Sequence, residues 1–421
     1  MKTRLLGNFT LLLFISLLAA CGGGGGSVDD NDDEPNCTEI VSSDFPPNSR
    51  FSPSVSSIGV ALDSSDDVFV GGGFTSGIAR LNNDSSYDTG FVAGTGFNDT
   101  VLTVDPASDG GGDVYVGGRF TRYNGTDAGR IARLNLDGSL DTSFASGIGL
   151  DDIVSIIVMA NDGSGDVYVG GSFTSYNGTV VGNGIIRLND DGSLDSGFNT
   201  GSGWGTFAIA PATDGSGDVY VARSTGPGIS RLNNDGSIDP GFDTGLTGFN
   251  DVVRVIAVAT DGSGDVYVGG DFSDYNGVGT TGIVRLNSDG SLDMGFVAGP
   301  QFEGSIHLIT PAIDGSGDIY ADTKDAGIIR RLNNDGSIDA GFDTGSGFGT
   351  FPDLPTIINS IINSIALTTD GSGDVYVGVG ANLIFSLMYN SRPVGNLVRL
   401  TEGGALVSGT LCFLVDDVKL I

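Results

Sequence analysis

Histidine, cysteine and tryptophan are scarce in this chain of 421 residues, which has one histidine, three cysteines and one tryptophan. The single histidine, His307, excludes nucleophilic triads and zinc or iron sites that need several histidines. Three cysteines without a Cys-x-x-Cys pair exclude a redox pair of that type and a zinc ribbon. The sequence also has no phosphate-binding loop and no nicotinamide fingerprint. It therefore indicates no organic cofactor.

Basic residues are few as well: 19 lysines and arginines stand against 52 acidic residues, for a formal net charge of -33. Such a chain repels nucleic acids and attracts cations, so nucleic acid is excluded as a partner. Almost all of the acids are aspartates, and they accompany 71 glycines. Aspartate and glycine favour turns over helices. The composition therefore predicts a turn-rich fold of β-strands.

Long apolar segments are absent except at the amino terminus. Lys2 and Arg4 precede an apolar run over residues 11–20, which is too short to span a bilayer comfortably and predicts a signal peptide over residues 1–20. The segment Leu18-Ala19-Ala20-Cys21 resembles the lipobox of bacterial lipoproteins. The resemblance implies that Cys21 carries lipid and that the bilayer is a partner. The alternative is a secretory peptide cut after Ala20.

Residues 21–38 have the composition of a tether. Five glycines, residues 22–26, precede an acidic stretch over residues 29–34, and neither segment can bury apolar surface. In Gram-negative lipoproteins an aspartate directly after the lipidated cysteine tends to retain the protein in the inner membrane. Gly22 occupies that position here, so the resemblance implies an outer-membrane location in the cell envelope.

An internal repeat dominates the remaining chain. Each copy contains Asp-Val-Tyr-Val or a close variant, then Arg-Leu-Asn or a relative, and in the first six copies an aspartate and a phenylalanine. Seven copies follow each other at intervals of about 50 residues. Their first motifs begin at Asp67, Asp113, Asp166, Asp218, Asp265, Asp318 and Asp374.

The best copies, such as residues 166–198, resemble the delta-60 repeat family of secreted bacterial proteins. The resemblance covers most of residues 59–400 and implies a propeller, with no established activity. The residues alone predict a similar fold, because each repeat holds four short β-rich runs between Gly, Asp and Asn turns. We therefore expect an all-β, seven-bladed β-propeller with four antiparallel strands per blade over residues 39–421. A solenoid is the alternative, and a monomer is expected.

The third turn of each repeat predicts a strand register. In residues 285–293 a three-residue hairpin with Gly290 in the left-handed conformation places Leu286 opposite Leu292 and Arg285 opposite Asp293. A two-residue turn would set Leu286 against Asp293, so the apolar pattern selects the first register. The repeated arginine is accordingly interpreted as structural.

The two ends of the repeat array predict how the ring closes. Residues 39–45 look like a fourth strand without its first three, and they could complete the weak seventh blade as its outer strand. Closure of this kind would bring Cys37 and Cys412 together. Thiols of exported proteins oxidise, so we expect a disulfide between them. The alternative is two unrelated thiols.

Five repeats contain an Asp-Gly-Ser-Gly-Asp loop that resembles the start of calcium-binding loops. The later bidentate acid of such loops is absent, and the alternative is a solvated turn. No other metal is expected. The candidate calcium ligands are Asp162, Asp166, Asp214, Asp218, Asp261, Asp265, Asp314, Asp318, Asp370 and Asp374.

Aromatic side chains accompany amides on loops at the opposite end of the strands. Tyr123, Tyr176, Tyr275 and Trp204 are the candidate ligand-binding residues, because such loops suit carbohydrate or protein recognition. The alternative is that each tyrosine packs against its own loop.

Two classes of function fit these features. The first is a non-catalytic binding or scaffold module for a glycan, a peptide or another envelope protein. The second is a hydrolase or lyase that uses aspartates, with or without calcium, and it would need two opposed carboxylates in a central pocket. Repeated residues along the central channel would favour a scaffold, whereas unique polar residues there would indicate a site.

Overall fold

The computed structural model describes residues 54–181, 184–201, 205–223, 228–245, 247–323, 327–345, 347–349, 361–380, 387–389, 392–394 and 396–407. All of these lie in one compact unit, Pro35–Ile421, and the other unit is Met1–Glu34. The signal peptide, the tether, Cys21, Cys37, Cys412, Trp204 and residues 39–45 lie outside the described residues. The lipid anchor, the disulfide and the closing strand therefore stay predictions.

Three-stranded antiparallel sheets repeat along the described residues, and we number those built on the repeat as sheets 1 to 7 in chain order. In each one the strand of the Asp-Val-Tyr-Val motif lies between the other two. The first four sheets contain β1 (Val55–Val60), β2 (Val68–Gly72) and β3 (Ile78–Leu81); β4 (Val101–Pro106), β5 (Val114–Gly118) and β8 (Ile131–Leu134), with the hairpin β6 (Arg122–Tyr123) and β7 (Thr126–Asp127); β9 (Val154–Met159), β10 (Val167–Gly171) and β13 (Ile185–Leu188), with the hairpin β11 (Ser175–Tyr176) and β12 (Thr179–Val180); and β14 (Thr206–Pro211), β15 (Val219–Arg223) and β16 (Ile229–Leu232).

The last three sheets follow the same plan. They contain β17 (Val253–Val258), β18 (Val266–Gly270) and β21 (Ile283–Leu286), with the hairpin β19 (Asp274–Tyr275) and β20 (Val278–Gly279); β22 (Ile309–Pro311), β23 (Ile319–Thr323) and β24 (Ile328–Leu332); and β26 (Ile361–Leu367), β27 (Val375–Gly380) and β30 (Leu397–Leu400). A further sheet joins β25 (Phe348–Gly349), β28 (Leu387–Tyr389) and β29 (Arg392–Val394). The one helical segment in the described part of the chain is the 3-10 turn Pro300–Phe302. No helix there is long and apolar enough to cross a membrane.

The sheets built on the repeat have three strands, and the expected fourth strand is represented by one bridged pair per sheet, so the prediction of four strands is not confirmed. Leu286 bridges Leu292, as the register required, but the chain then turns away. The cause is the next aspartate: the Asp293 carboxylate accepts the N–H of Gly295 at 2.7 Å, and its carbonyl accepts the N–H of Phe296 at 3.4 Å. A carboxylate that bonds its own following backbone competes with a strand ladder.

The predicted hairpin register is confirmed. The N–H of Asn287 donates to the carbonyl of Ser291, and the N–H of Gly290 donates to the carbonyl of Asn287, both at 2.8 Å. Gly290 has φ +86°, a left-handed conformation that glycine adopts without steric cost. Arg285 Nε donates to the Asp293 carboxylate at 2.6 Å, as the register predicts.

The apolar core lies between successive sheets. One cluster joins Tyr115 and Ile131 of sheet 2 to Ile157 and Val167 of sheet 3, and every one of these side chains is buried. Valine and isoleucine suit such layers because their branched side chains fit a pleated surface. The same kind of cluster joins Tyr376 and Leu397 of sheet 7 to residues of sheet 1, so the last sheet packs against the first.

Candidate functional site

Each sheet carries one largely buried arginine on its third strand. Three of them share one arrangement, in which Nε contacts the aspartate after the bridged pair and Nη1 reaches the turn of the next sheet. Arg133 illustrates it, with Asp141 at 2.5 Å and Asp190 of sheet 3 at 2.6 Å. Arg187 and Arg285 make the matching contacts to Asn234 and Asn334. These contacts fasten each sheet to its successor.

Three other arginines turn back to the loop between the first two strands of their own sheet. Arg231 contacts Asp214 at 2.5 Å and Asp218 at 2.9 Å. Arg331 contacts Asp314 at 2.7 Å and Asp318 at 3.0 Å. Arg80 does the same with Asp63 and Asp67. Arg399 contacts Asp374 at 2.9 Å and Asp370 at 3.4 Å, and it also donates to the carbonyl of Asn83 in sheet 1.

The second residue of the next turn separates the two arrangements. The three arginines that reach forward meet an aspartate or an asparagine there, and Arg80, Arg231 and Arg331, which turn back, meet Leu136, Ser288 or Glu402. Arg399 meets Asn83 and combines the two arrangements. Among the described residues, Nη1 of the buried Arg80 has no hydrogen-bond partner. Leu136, which is 48 % exposed, occupies the turn position at which an asparagine amide contacts the arginine in other sheets. A buried donor without an acceptor costs about 1 to 3 kcal/mol.

We therefore predict that Leu136→Asn stabilises the protein. The new amide oxygen should accept from Arg80 and raise the free energy of unfolding by about 1 kcal/mol. Urea unfolding measures this change, with Leu136→Ala as the control that removes the leucine without adding an acceptor. Equal stability of the two variants would contradict the explanation.

The candidate calcium ligands are part of this arginine network. Asp214, Asp218, Asp314, Asp318, Asp370 and Asp374 contact Arg231, Arg331 or Arg399, as given above. Within the loops, the first aspartate also accepts the N–H of the serine two residues later, as Asp162 does from Ser164 at 3.0 Å and Asp261 from Ser263 at 2.9 Å. Arg187 and Arg285 instead turn towards Asp195 and Asp293, and their Nε atoms lie 3.6 Å from Asp166 and 3.5 Å from Asp265.

In the described part of the chain, no group of three or more His, Cys, Asp or Glu side chains is placed to hold a metal ion. In sheets 4, 6 and 7 a guanidinium group already lies between the two carboxylates of the loop. A calcium ion would have to displace that cation there. In sheets 3 and 5 the arginine pairs with Asp195 or Asp293 instead and lies 3.6 Å from the second aspartate of the loop, Asp166, or 3.5 Å from Asp265. Calcium binding by these loops stays a prediction.

The three candidate tyrosines are core residues. Tyr123 and Tyr176 are 1 % exposed and Tyr275 is 2 % exposed. Each hydroxyl donates to the carbonyl of the turn glycine in its own sheet, as Tyr123 does to Gly138 at 2.6 Å. The Tyr123 ring centroid lies 4.5 Å from that of Phe97. These rings pack against their own loops, and a ligand on the surface would not reach them.

A different set of residues breaks the repeat at the innermost strands. In six sheets the pairing of the first strand with the second skips one residue, which is a β-bulge. The matching position of sheet 6 follows from the strand pairing. Ile309 pairs with Ala321 in sheet 6 in the same way as Ile256 pairs with Val268 in sheet 5. His307 precedes Ile309 by two residues, just as the skipped Arg254 precedes Ile256, so His307 is the matching residue. Bulges often re-aim a side chain beside a site. We name these positions the bulge ring: Ser56, Leu102, Ser155, Phe207, Arg254, His307 and Asn363.

The bulge ring is chemically varied, although the sheets around it repeat. It offers an aromatic ring that is 46 % exposed, Phe207, and a guanidinium that is 36 % exposed, Arg254. The side-chain amide of Asn363 is held in one orientation, because its Nδ2 donates to the carbonyl of Val55 at 2.8 Å across the junction of sheets 7 and 1. The residues at these positions therefore differ from sheet to sheet, although the strands that carry them repeat.

Arg254 anchors a polar cluster that also contains Asp271, Ser305 and His307, and we call these four residues the Arg254 cluster. Arg254 Nε donates to Asp271 Oδ1 at 2.7 Å, its Nη2 donates to Oδ2, and the Ser305 hydroxyl donates to Oδ1. The hydrogen bond from Arg254 is the largest influence that lowers the pKa of Asp271, and a positive charge on His307 acts in the same direction. Asp271 is therefore an ionised acceptor held in one orientation at neutral pH.

Two further carboxyls lie on the first or second strand of their sheets. Asp322 of β23 is 3 % exposed, and burial raises its pKa to about 7. Asp105 of β4 accepts the N–H of Met159 in sheet 3 at 2.6 Å, and burial raises its pKa to about 7 as well. The sequence analysis missed both residues and also Arg254, Asp271 and Ser305. Each of them departs from the repeat, and that departure is the signal that could have found them.

Comparisons with known proteins agree with this fold. Segments 112–144, 163–198, 213–242, 262–296 and 313–342 match a family model described as "Domain of unknown function (DUF5122) beta-propeller". The WD40 β-propeller domain of Doa1 is similar in structure, with a TM-score of 0.52 and 18 % identity over 83 % of this chain and 93 % of that chain. Virginiamycin B lyase from Staphylococcus aureus has a TM-score of 0.49 and 16 % identity over 77 % of this chain and 92 % of that chain. No curated protein matches the sequence.

These results define the class of the protein: it has an all-β, propeller-like fold. More particularly, it is a β-propeller repeat protein, five of whose repeats match that family model.

Proposed function

We propose that this protein is a non-catalytic binding propeller of the cell envelope that takes a glycan at the bulge ring. Sheets 1 to 7 are, in this proposal, the blades of a closed seven-bladed ring. The shared core of sheets 7 and 1 supports closure, and so does the bond from the N–H of Ile58 to the Ser364 hydroxyl at 3.0 Å. The lipobox-like segment ending at Cys21 supports the envelope location.

The observation that carries the proposal is the break in repetition. Residues that only build a sheet recur from copy to copy, as the buried arginines and the turn glycines do. The bulge ring lies on the same scaffold and has six residue types at seven positions. Keeping one fold requires no such variety. Recognition of a particular ligand does require it, because a small number of polar groups in fixed positions sets the specificity of a binding site.

A glycan suits this chemistry better than the peptide and protein ligands that the sequence left open. Sugars stack their apolar faces on aromatic rings, and Phe207 offers one. Their hydroxyls need donors and acceptors in fixed directions, which the paired Arg254 and Asp271 provide. Because that pair is internally neutralised and the chain has a net charge of -33, a neutral glycan is favoured over a polyanion.

Acid–base catalysis fits less well. A general acid must keep its proton near the working pH, and Arg254 lowers the pKa of Asp271. Asp322 has a suitable pKa of about 7, but its side chain is buried in the layer between sheets, where a substrate does not reach. The Arg254 cluster therefore supports holding a ligand rather than cleaving it.

The test is a glycan-array screen followed by calorimetry with the best neutral glycan. We predict that Arg254→Ala weakens binding by about tenfold or more, because truncating one member of the pair leaves Asp271 without its partner. Arg122→Ala is the matched control, since Arg122 makes an exposed pair with Asp127 away from the bulge ring. Unchanged affinity of Arg254→Ala, with the wild-type melting temperature retained, would overturn the site assignment. Failure to bind any glycan would overturn the ligand class.

A further inference from the structure

Asp322 occupies a position that the repeat keeps small. The matching residues of the other second strands are Gly71, Gly117, Gly170, Ala222, Gly269 and Gly378. A Cβ on Gly117 would lie 2.6 Å from Val154 of the next sheet, and one on Gly378 would lie 2.6 Å from Val55. A carboxyl group at this position therefore lies in the apolar layer between two sheets, and only a specific partner offsets its loss of water.

The partner is the backbone that directly precedes β22 in the same sheet. The N–H of Leu308 donates to Asp322 Oδ1 at 3.0 Å, and the backbone of the adjacent His307 also acts to lower the pKa of the carboxyl group. The Asp322 carboxylate thus fixes the backbone that carries His307 into the bulge ring. His307 in turn influences Asp271, the acceptor of the Arg254 cluster. A chain of contacts leads from a buried acid to the proposed glycan site.

Few other charges face Asp322. Asp322 pairs with Ile329, so the two side chains share the face that packs on sheet 7, whereas Arg330 pairs with Ala321 and lies on the other face. Arg331 pairs with Tyr320 on the same face as Asp322, and its guanidinium contacts Asp314 and Asp318. The facing strand of sheet 7, Ile361–Leu367, contains no charged residue. Arg254 and Asp271 belong to sheet 5, on the far side of His307. Burial raises the pKa of Asp322 to about 7, and the backbone groups of Leu308 and His307 limit the rise.

We propose that protonation of Asp322 switches the bulge ring between a binding and a weakly binding form. The ionised carboxylate accepts the N–H of Leu308 and so holds the backbone next to His307 in place. The protonated carboxyl has lost its negative charge and is a donor at one oxygen, so the bond from Leu308 weakens and the new O–H must find an acceptor in an apolar layer. The backbone before β22 then shifts, and His307 moves relative to Asp271. This inference rests on the proposed glycan site.

One readout needs no ligand, because His307 is the only histidine of the chain and gives a single set of imidazole NMR signals. Two coupled groups titrate in two steps. We expect the His307 signals of the wild type to shift in two steps, one of them near pH 7, and those of Asp322→Asn to shift in one. Asp105→Asn is the matched control: it removes a buried carboxyl with a similar pKa in sheet 2 and should leave both steps. Identical curves for the wild type and Asp322→Asn would overturn the coupling.

The second readout is glycan affinity. We expect the glycan affinity of the wild type to fall by about fivefold or more between about pH 8 and about pH 6. Asp322→Asn should bind the glycan weakly at both pH values. His307→Gln should keep a pH dependence if Asp322 is the switch. If wild-type affinity does not change with pH while the NMR coupling is present, the switch is wrong and the glycan site stands. If no glycan binds at either pH, the proposed function and the switch at its site both fail, whereas the NMR result still decides whether Asp322 and His307 are coupled.

The pH dependence of stability separates a titrating Asp322 from one with a purely structural role. The folded pKa of Asp322 lies above the unfolded value, so the folded state binds the proton more tightly and the protein loses stability as the pH rises towards about 7. Asp322→Asn removes that loss. We expect the melting temperature of the variant, relative to the wild type, to rise with pH. A constant difference across the pH range would show that Asp322 only contributes hydrogen bonds.

Discussion

Arg133→Ala should lower the free energy of unfolding by about 3 to 5 kcal/mol, the range found when one partner of a buried ion pair is removed. Arg133 is 8 % exposed and holds the carboxylates of Asp141 and Asp190, so its loss leaves Asp141, itself 8 % exposed, without its cation. It also contacts the Tyr115 hydroxyl at 3.3 Å and stacks on the Tyr115 ring. Chemical unfolding followed by circular dichroism measures the change.

The control for this variant lies in the same sheet. Arg122 and Asp127 form an ion pair at 3.2 Å, but their side chains are 60 % and 80 % exposed. Water and salt screen such a pair, so Arg122→Ala should cost no more than about 1 kcal/mol. Similar losses in the two variants would contradict the conclusion that the buried arginines fasten the sheets.

Gly96→Ala should be about as damaging, with a loss of about 3 kcal/mol or more. Gly96 has φ +68°, and a Cβ there would lie 2.1 Å from the carbonyl oxygen of Ser76. That carbonyl accepts the N–H of Phe97 at 3.0 Å, so it cannot move away without breaking the bond that joins sheets 1 and 2. The melting temperature and the urea midpoint both report the loss.

Gly125→Ala separates backbone strain from collision. Gly125 has φ +80°, but no heavy atom of the described residues lies within 4 Å of the site where its Cβ would be. The free energy of unfolding of Gly125→Ala should therefore fall only by the cost of the left-handed conformation, about 1 to 2 kcal/mol. If both variants lost the same amount, the close approach at Ser76 would be unimportant.

The sequence predicted what local chemistry determines. The three-residue turn around Gly290, the pairing of Leu286 with Leu292 and the contact of Arg285 with Asp293 all follow from residues within nine positions of each other. The β-propeller class followed from repetition of these local units. The number of paired strands could not be predicted in the same way. The Asp293 carboxylate, which accepts the N–H of Gly295, competes with the strand ladder for the same backbone groups.

Residues that act between repeats could not be predicted from one repeat. Arg231 contacts Asp214 of its own loop rather than Ser288, the residue of the next sheet at the position where Arg187 finds Asn234. Tyr123 was assigned to a surface loop, because nothing in its sequence neighbourhood shows that its hydroxyl reaches Gly138 in the core. The Arg254 cluster joins residues from sheets 5 and 6, and its members depart from the repeat in two different copies, so no single copy shows that they meet.

The dependence of each arginine on the turn that follows it gives the array a direction. A copied or exchanged repeat would create two new junctions: its own turn meets the preceding arginine, and its own arginine meets the following turn. A copy with aspartate or asparagine at the second position of its turn can bind the arginine of the preceding repeat. A copy with leucine there cannot, and the preceding arginine then contacts the aspartates of its own loop. Repeats of this protein are therefore not freely interchangeable modules, and growth or shuffling of the array is constrained by a single side chain at each junction.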